Sequence, residues 1–212
     1  MITIGKATIY NMNCMELLKN TPDKFYDLAI IDPPYRNQNE NQPTKDMRNN
    51  RFVKGQGLGL MPTKEYFNEL YRTSKNQIIW GANNFQLPQF KGFIVWKKLT
   101  ISQEFTMSMA EIASISEDLG TVSKIFELQP QGSLQDPRIH PTQKPVKLYE
   151  WLLTNYAKPN DKILDTHLGS GSHAIACNNL GFELTACELD KDYYEASIKR
   201  IKQATAQERL FA

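Results

Sequence analysis

Two short stretches of this 212-residue chain hold residue types whose spacing can do chemistry. The first is Asp32-Pro33-Pro34-Tyr35, which follows the apolar run Asp27–Ile31. Two consecutive prolines cannot continue a strand ladder, so the run must end there and present Asp32 at its tip. A carboxylate, a carbonyl stiffened by a proline ring and an aromatic face suit the alkylation of an aromatic amine. The lone pair of an exocyclic NH2 is delocalised into its ring, which makes the nitrogen a poor nucleophile. Two acceptors that bind its two hydrogens favour a pyramidal nitrogen, with the lone pair aimed at an electrophilic methyl. Asp32 and the carbonyl of Pro33 are the candidate acceptors. Tyr35 offers a face for an extruded base, a contact worth about 1–3 kcal/mol. In isolation the tetrapeptide reads equally well as a proline-terminated strand with a surface Asp and Tyr.

The second stretch is Asp165-Thr-His-Leu168-Gly169-Ser170-Gly171, with Glu188 lying 23 residues beyond Asp165. The pattern is a strand, a glycine-rich turn and the start of a helix. Glycines allow close backbone approach, and a helix N-terminus offers amide donors to an anionic group. An acidic residue about 20 positions on, at the end of the next strand, suits the two hydroxyls of a ribose. Together these features point to a nucleoside cofactor.

The elements that must position these residues follow from periodicity. Ala7–Asn13 reads as extended and Cys14–Asn20 as helical. Thr63 is a good N-cap for a helix to about Arg72. Ile78–Trp80, Gly92–Trp96, Glu111–Ser114, Lys162–Asp165 and Phe182–Cys187 read as strands. Pro145–Ala157, His173–Leu180 and Asp192–Ala204 read as helices. Strands alternating with helices predict an α/β domain with an open, doubly wound, mostly parallel sheet. The length suits one domain over residues 1–212. Residues 36–60 are polar and glycine-punctuated, and predict a long mobile loop. Gly55-Gln-Gly-Leu-Gly59 looks like a phosphate loop, but no strand runs into it, so it reads as a hinge.

Composition narrows the class. With 41% hydrophobic and 23% charged residues the chain is expected to fold throughout, and no stretch nears the length of a membrane span. Cys14, Cys177 and Cys187 read as reduced thiols of a cytoplasmic protein. His173 and Cys177 sit four apart on a helix, but no further ligands cluster nearby, so no metal is expected. Trp80, Trp96 and Trp151 read as core. Residues 36–100 carry eleven Lys/Arg against four Asp/Glu, whereas 101–139 carry two against six. A basic block beside Asp32 is the footprint expected for a polyanion. Arg36, Lys45, Arg48, Arg51 and Lys54 are its candidate nucleic-acid contacts, within a basic region 36–75.

Taken together, the two stretches resemble the amino-group DNA methyltransferases that carry a D-P-P-Y motif, over nearly the whole chain. The catalytic segment precedes the glycine-rich one, and His140-Pro-Thr142-Gln143-Lys144-Pro145 stands between them. That order is similar to one circularly permuted class. Trp80-Gly-Ala-Asn83 and Asp165–Ser172 also resemble the compact enzymes of phages and prophages. The resemblance implies a Rossmann-like fold in permuted order, with S-adenosylmethionine as cofactor. By the same resemblance, Asp165, Leu168, Gly169, Ser170 and Gly171 contact the cofactor, and Glu188 holds its ribose. His140, Thr142, Gln143 and Lys144 lie near its amino-acid end, with Lys144 pairing with the carboxylate. Asn13-Cys14 and Asp32 lie beside it.

The implied reaction is methylation of adenine N6 on a flipped-out base of double-stranded DNA. Cytosine N4, RNA bases and protein glutamine are alternatives for the same chemistry, and a non-catalytic DNA-binding module is another. A homodimer is a further expectation. The segment Glu117–Arg138 is all that stands where larger relatives carry a target-recognition region. The C-terminal tail 205–212, with Gln207, Leu210 and Phe211, resembles peptides that dock on a replicative sliding clamp; folding back onto the domain is the alternative.

Overall fold

The computed structural model describes residues 1–35, 44–45, 52–53, 61–130 and 138–208. The chain opens with β1 (Ile2–Ile4), β2 (Ala7–Asn11), α1 (Cys14–Lys19) and β3 (Tyr26–Ile31). Two-residue strands β4 (Thr44–Lys45) and β5 (Phe52–Val53) follow, then α2 (Lys64–Thr73), β6 (Ser74–Trp80), β7 (Gly92–Lys97), β8 (Ala110–Ile115) and β9 (Lys124–Glu127). The last elements are α3 (Val146–Tyr156), β10 (Lys162–Asp165), α4 (Ser172–Leu180), β11 (Glu183–Glu188) and α5 (Lys191–Glu208).

Nine strands form one sheet in the order β1-β2-β11-β10-β3-β6-β8-β7-β9. Strands β2, β11, β10, β3 and β6 run parallel to one another. Strand β8 runs against both β6 and β7, and β1 runs against β2. This is the expected doubly wound, mostly parallel α/β architecture.

The continuous apolar run of β3 reflects burial on both faces. Leu28 and Ile30 pack with Leu148 of α3, Ile175 of α4 and Ile201 of α5. Ala29 and Ile31 face the other way, onto Leu18 of α1 and Phe67 and Leu70 of α2. Leu70 is fully buried, so its truncation to Ala should cost about 2–5 kcal/mol. Trp80 and Trp96 are buried in the core as expected, and Trp151 is partly buried against it. Thr63 caps α2, accepting from the Tyr66 amide at 3.4 Å.

The chain winds from β10 through α4 to β11 in one direction, and from β3 through α2 to β6 in the other. The reversal falls between β10 and β3, which are paired neighbours. A crevice opens where connections diverge at the carboxyl ends of parallel strands. Asp32, Gly81, Asp165 and Glu188 stand at or just past those ends. The antiparallel β8 brings Glu111, near its amino end, to the same edge.

Four features differ from expectation. The edge strands β1 and β9 were not predicted, because three or four residues with one partly covered face give little periodic signal. Part of Glu117–Arg138 is thus sheet: β9 pairs with β7. Within 36–60, β4 and β5 form a short antiparallel pair, where only loop was expected. Lys45 belongs to that pair; Arg36, Arg48, Arg51, Lys54 and the Gly55–Gly59 hinge lie outside the described residues. Helix α5 runs on to Glu208, so Gln207 is helical rather than part of a flexible tail, while Leu210 and Phe211 lie outside the described residues. Among the described residues no helix is long and apolar enough to cross a membrane.

Candidate active site

A cleft of about 320 Å³ opens at the crevice, lined by Asp32, Pro33, Pro34 and Tyr35 on one side and Leu168, Gly169, Ser170 and Glu188 on the other. His140, Thr142, Gln143 and Lys144 form a third wall. Three segments far apart in the chain, each predicted from sequence, therefore meet. The volume is at the lower end of the range for small-molecule sites.

Glu188 is buried and bonded entirely through backbone donors. The Gly169 amide donates to its Oε2 at 2.8 Å and the Asp190 amide to its Oε1 at 2.9 Å. Among the described residues no cation is paired with it, and burial pushes its carboxyl up to about 7, the two amides opposing the rise. Each oxygen keeps a further lone pair, so a pair of hydroxyls can still be bound.

The glycine-rich turn departs from its expected role at two positions. Asp165 does not line the cleft. Its Oδ1 accepts from the His167 amide at 3.0 Å, and its Oδ2 lies 3.0 Å from the His173 Nδ1. It shapes the turn from beneath. Gly171 also stands back from the cleft. Its φ is +79°, and a Cβ there would meet Ile201 of α5 at 2.8 Å, so its glycine serves helix packing. Arg200 of α5 supports the same turn, donating to the Ser170 carbonyl at 2.8 Å and to the Ser172 Oγ at 3.0 Å. Asn13 and Cys14 lie outside the cleft lining as well. The Asn13 side chain accepts from the Met15 amide at 2.9 Å as the cap of α1, and burial raises the Cys14 thiol to about 11.

The segment from His140 to Lys144 is a folded wall. The Gln143 Oε1 accepts from the Ile139 amide at 3.0 Å, and the Thr142 amide donates to the His140 Nδ1 at 3.3 Å. Burial, with the nearby Lys144 charge, lowers the His140 imidazole to about 4. It is therefore neutral, edge-on to Tyr193 at 4.3 Å between ring centroids.

The Asp32 side is built from charged side chains. The Lys144 Nζ lies 2.5 Å from Asp32 Oδ2 and 3.0 Å from Glu111 Oε2. Tyr35 donates to Asp32 Oδ1 at 2.6 Å, and Lys98 pairs with Glu111 at 2.6 Å. Burial raises the Asp32 carboxyl above its ordinary range; Lys144 opposes this and Glu111 adds to it. Burial also works against ionisation of Glu111, but Lys144 and Lys98 outweigh it and bring Glu111 down to about 2. Burial and the two carboxylates raise the Tyr35 phenol, which stays a neutral donor. The turn after β6 makes room for it: Gly81 has φ +69°, and a Cβ there would sit 2.1 Å from the Tyr35 ring.

Lys144 is thus engaged by Asp32 and Glu111, where the sequence assigned it to a cofactor carboxylate. Glu111, Lys98, Tyr149 and Tyr193 were not anticipated. Nothing in the spacing of Glu111 marks it, since it only opens a strand. Among the described residues no cluster that could hold a metal is present.

Comparison with known proteins fits this arrangement. YubD of Escherichia coli (strain K12) is 26% identical over 209 residues, covering 89% of this chain and 87% of that one. The type II methyltransferase M.HinfI of Haemophilus influenzae is 22% identical over 246 residues, covering 92% of this chain and 68% of that one. Among solved structures, the PvuII DNA methyltransferase (cytosine-N4-specific) superposes with a TM-score of 0.66 at 14% identity, over 97% of this chain and 93% of that one. The M1.HpyAVI–SAM complex does so with 0.62 at 20%, over 92% and 98%. These structural likenesses establish the fold. The profile of the family described as DNA methylase (N6_N4_Mtase) matches residues 60–199, most of the chain, and the protein belongs to that family.

Proposed function

We propose that the protein transfers a methyl group from S-adenosylmethionine to the N6 amino group of adenine in double-stranded DNA. The observation that carries the reading is the facing pair of carboxylates across one cleft. Glu188 is amide-bound, with lone pairs left for a ribose, and Asp32 is paired with the Lys144 ammonium across the cleft. The cofactor, when bound, supplies an electrophilic methyl group on sulfur. Leu168 and the turn from Gly169 to Ser170 form the wall beside Glu188 on which its nucleoside would rest.

The rest is done by this chain. Asp32 accepts one hydrogen of the target amine, and the carbonyl of Pro33 accepts the other. The nitrogen lone pair would then form the new N–C bond as the S–CH3 bond breaks, its electron pair staying on sulfur as a neutral thioether, and one N–H proton would depart to water. The amino group of a paired base is not accessible, so the base must be flipped into the cleft. The connection between β7 and β8 starts at Lys98 and returns to Glu111, both part of the Asp32 network. It exposes Leu99, Phe105, Met107 and Met109. This apolar rim is where the opened duplex would rest, as apolar wedges do at unstacked steps. Arg36, Lys45, Arg48, Arg51 and Lys54 would neutralise phosphates alongside.

Digestion of DNA methylated by the pure protein, followed by mass spectrometry of the nucleosides, tests the reading. N6-methyladenine is expected. N4-methylcytosine would replace the adenine assignment, and methylation of RNA or glutamine without DNA would overturn the substrate class.

A further inference from the structure

Beyond the two acceptors at the target amine, the cleft wall holds a four-charge cluster centred on the buried Lys144: Asp32, Lys144 and Glu111, with the partly buried Lys98 behind Glu111. We propose that Lys144 is a positioning residue for Asp32, held in place by the Lys98–Glu111 pair, and is not the ligand of the cofactor's carboxylate. The proposal rests on the methyltransferase reading above.

Geometry is the first argument. An ammonium has three N–H donors. Lys144 has three acceptors within reach: Asp32 Oδ2 at 2.5 Å, Glu111 Oε2 at 3.0 Å and the Tyr35 hydroxyl at 3.3 Å. Its side chain is only 2% exposed, with the ammonium 5.3 Å from the centre of the Trp80 ring and 5.7 Å from that of Tyr35. A fourth partner would require it to leave one of these.

Charge balance is the second. Moving Lys144 away would leave Asp32 and Glu111 side by side in a buried site with Lys98 alone, and Lys98 contacts Glu111. Two such carboxylates cannot both stay ionised easily, and one takes a proton. A protonated Asp32 would present an O–H donor to an amine that needs an acceptor. The groups facing Asp32 are Lys144 from the segment before α3, Glu111 from β8, its neighbour Tyr35, and Tyr149 of α3 at longer range. Among the described residues Lys144 is the sole cation facing Asp32, so it is the charge that works against burial to favour the ionised acceptor. Lys98 acts one step removed, neutralising Glu111 so that Lys144 is shared rather than captured.

The test is Lys144→Met, read in three ways. Cofactor affinity of the DNA-free protein, by calorimetry, should stay within about threefold, since no donor to the cofactor is lost. Turnover at saturating cofactor and DNA should fall by about tenfold or more at neutral pH, and the acidic limb of its pH profile should move upward by at least about one unit. Carbon-13 carboxyl shifts of the aspartate-labelled, cofactor-free protein should show Asp32 titrating at higher pH in the variant. A cofactor dissociation constant at least about tenfold weaker, with an unmoved acidic limb, would overturn the proposal and return Lys144 to the cofactor. Glu111→Gln keeps the shape of the site should Lys144→Met fold poorly. It should leave cofactor affinity unchanged and move the acidic limb downward, since a carboxylate that raises Asp32 is lost, and an unmoved limb would count against the network. Absence of methyl transfer by the wild type would instead fail the underlying reading, which separates the two.

Discussion

Asp32 and Glu188 are both carboxylates at the ends of parallel strands, separated in the sheet only by β10, yet they are held in opposite ways. Glu188 is fixed by two backbone amides that come from its own turn and from the glycine-rich turn beside it. Among the described residues no counter-charge is paired with it, so burial outweighs the two amides and its carboxyl rises to about 7. Asp32 is fixed by side chains, an ammonium and a phenol, within a cluster that carries two cations and two anions. Backbone donors suit a site that must recognise the shape of neutral hydroxyls. A side-chain cation suits a site that must stay ionised while a neutral amine approaches it. On the proposed function the contrast would divide one cleft into a cofactor side and a substrate side, and that division can be tested from each end.

The largest expected effect is at Asp32. Asp32→Ala removes one of the two acceptors for the target amine, and turnover should fall by about 100-fold or more. Cofactor affinity, measured separately by calorimetry, should change little, because Glu188 and its amides lie on the other wall. Glu188→Ala should show the reverse pattern. The loss of a charge-assisted acceptor pair should weaken cofactor binding by about 10- to 100-fold, with much of the turnover recovered at saturating cofactor. If both variants lost affinity and turnover alike, the division of the cleft into two sides would be wrong.

The Glu188 environment also sets a pH dependence. A ribose hydroxyl donates to the carboxylate form, so cofactor affinity should rise with pH up to about 7, the value to which burial brings this carboxyl, and level off above it. Below that point the slope should approach about tenfold per pH unit. The same shift makes a stability statement of known sign. A carboxyl raised from 4.5 to about 7 in the fold binds its proton more tightly folded than unfolded. Its contribution is therefore fully present below the unfolded value and is lost as pH rises toward 7. Thermal melts of the cofactor-free protein and of Glu188→Gln, compared across that window, should differ in slope. Parallel curves would show that Glu188 is ionised throughout.

The same contrast explains what was legible in the sequence. The Glu188 side rests on local order: a strand, two glycines, a helix and an acid one strand later, all within a single unit. Periodicity and glycine placement found each of these, together with the alternating elements that give the sheet. What residue type alone did not give there was the local packing role of single positions. Asp165 and Gly171 looked like cofactor contacts because their residue types fit, but one supports the turn through His167 and His173, and the other admits Ile201. The Asp32 side rests on long-range pairing. Asp32 itself was visible from its prolines, but the meeting of Lys144, Glu111 and Lys98 depends on β8 running antiparallel to β6 and on the segment before α3 crossing the crevice. A lone Glu at the start of a strand carries no mark of such partners. The resemblance to a methyltransferase class brought in the His140–Lys144 segment, which spacing alone would not have joined to the cleft.

The smallest expected effect sharpens the contrast on the substrate side. Phe105, Met107 and Met109 are more than 40% exposed in a connection that is rooted, through Lys98 and Glu111, in the Asp32 network. Exposed large apolar side chains grouped at one rim usually mark a contact surface. If the opened duplex rests there, replacing Phe105 and Met107 by Ala removes apolar support for the step from which the base has left. Unstacking then becomes harder by a fraction of its cost of a few kcal/mol, and the KM for DNA should rise by about three- to tenfold. Cofactor affinity should not move, because this rim is remote from the Glu188 turn. Substrates in which the target base is unpaired, opposite an abasic site, should restore much of the loss, since less energy is then needed to flip it. A KM increase that persists undiminished on such substrates would assign the rim to general DNA contact rather than to support of the flipped state. An unchanged KM on both would place the duplex elsewhere on the molecule.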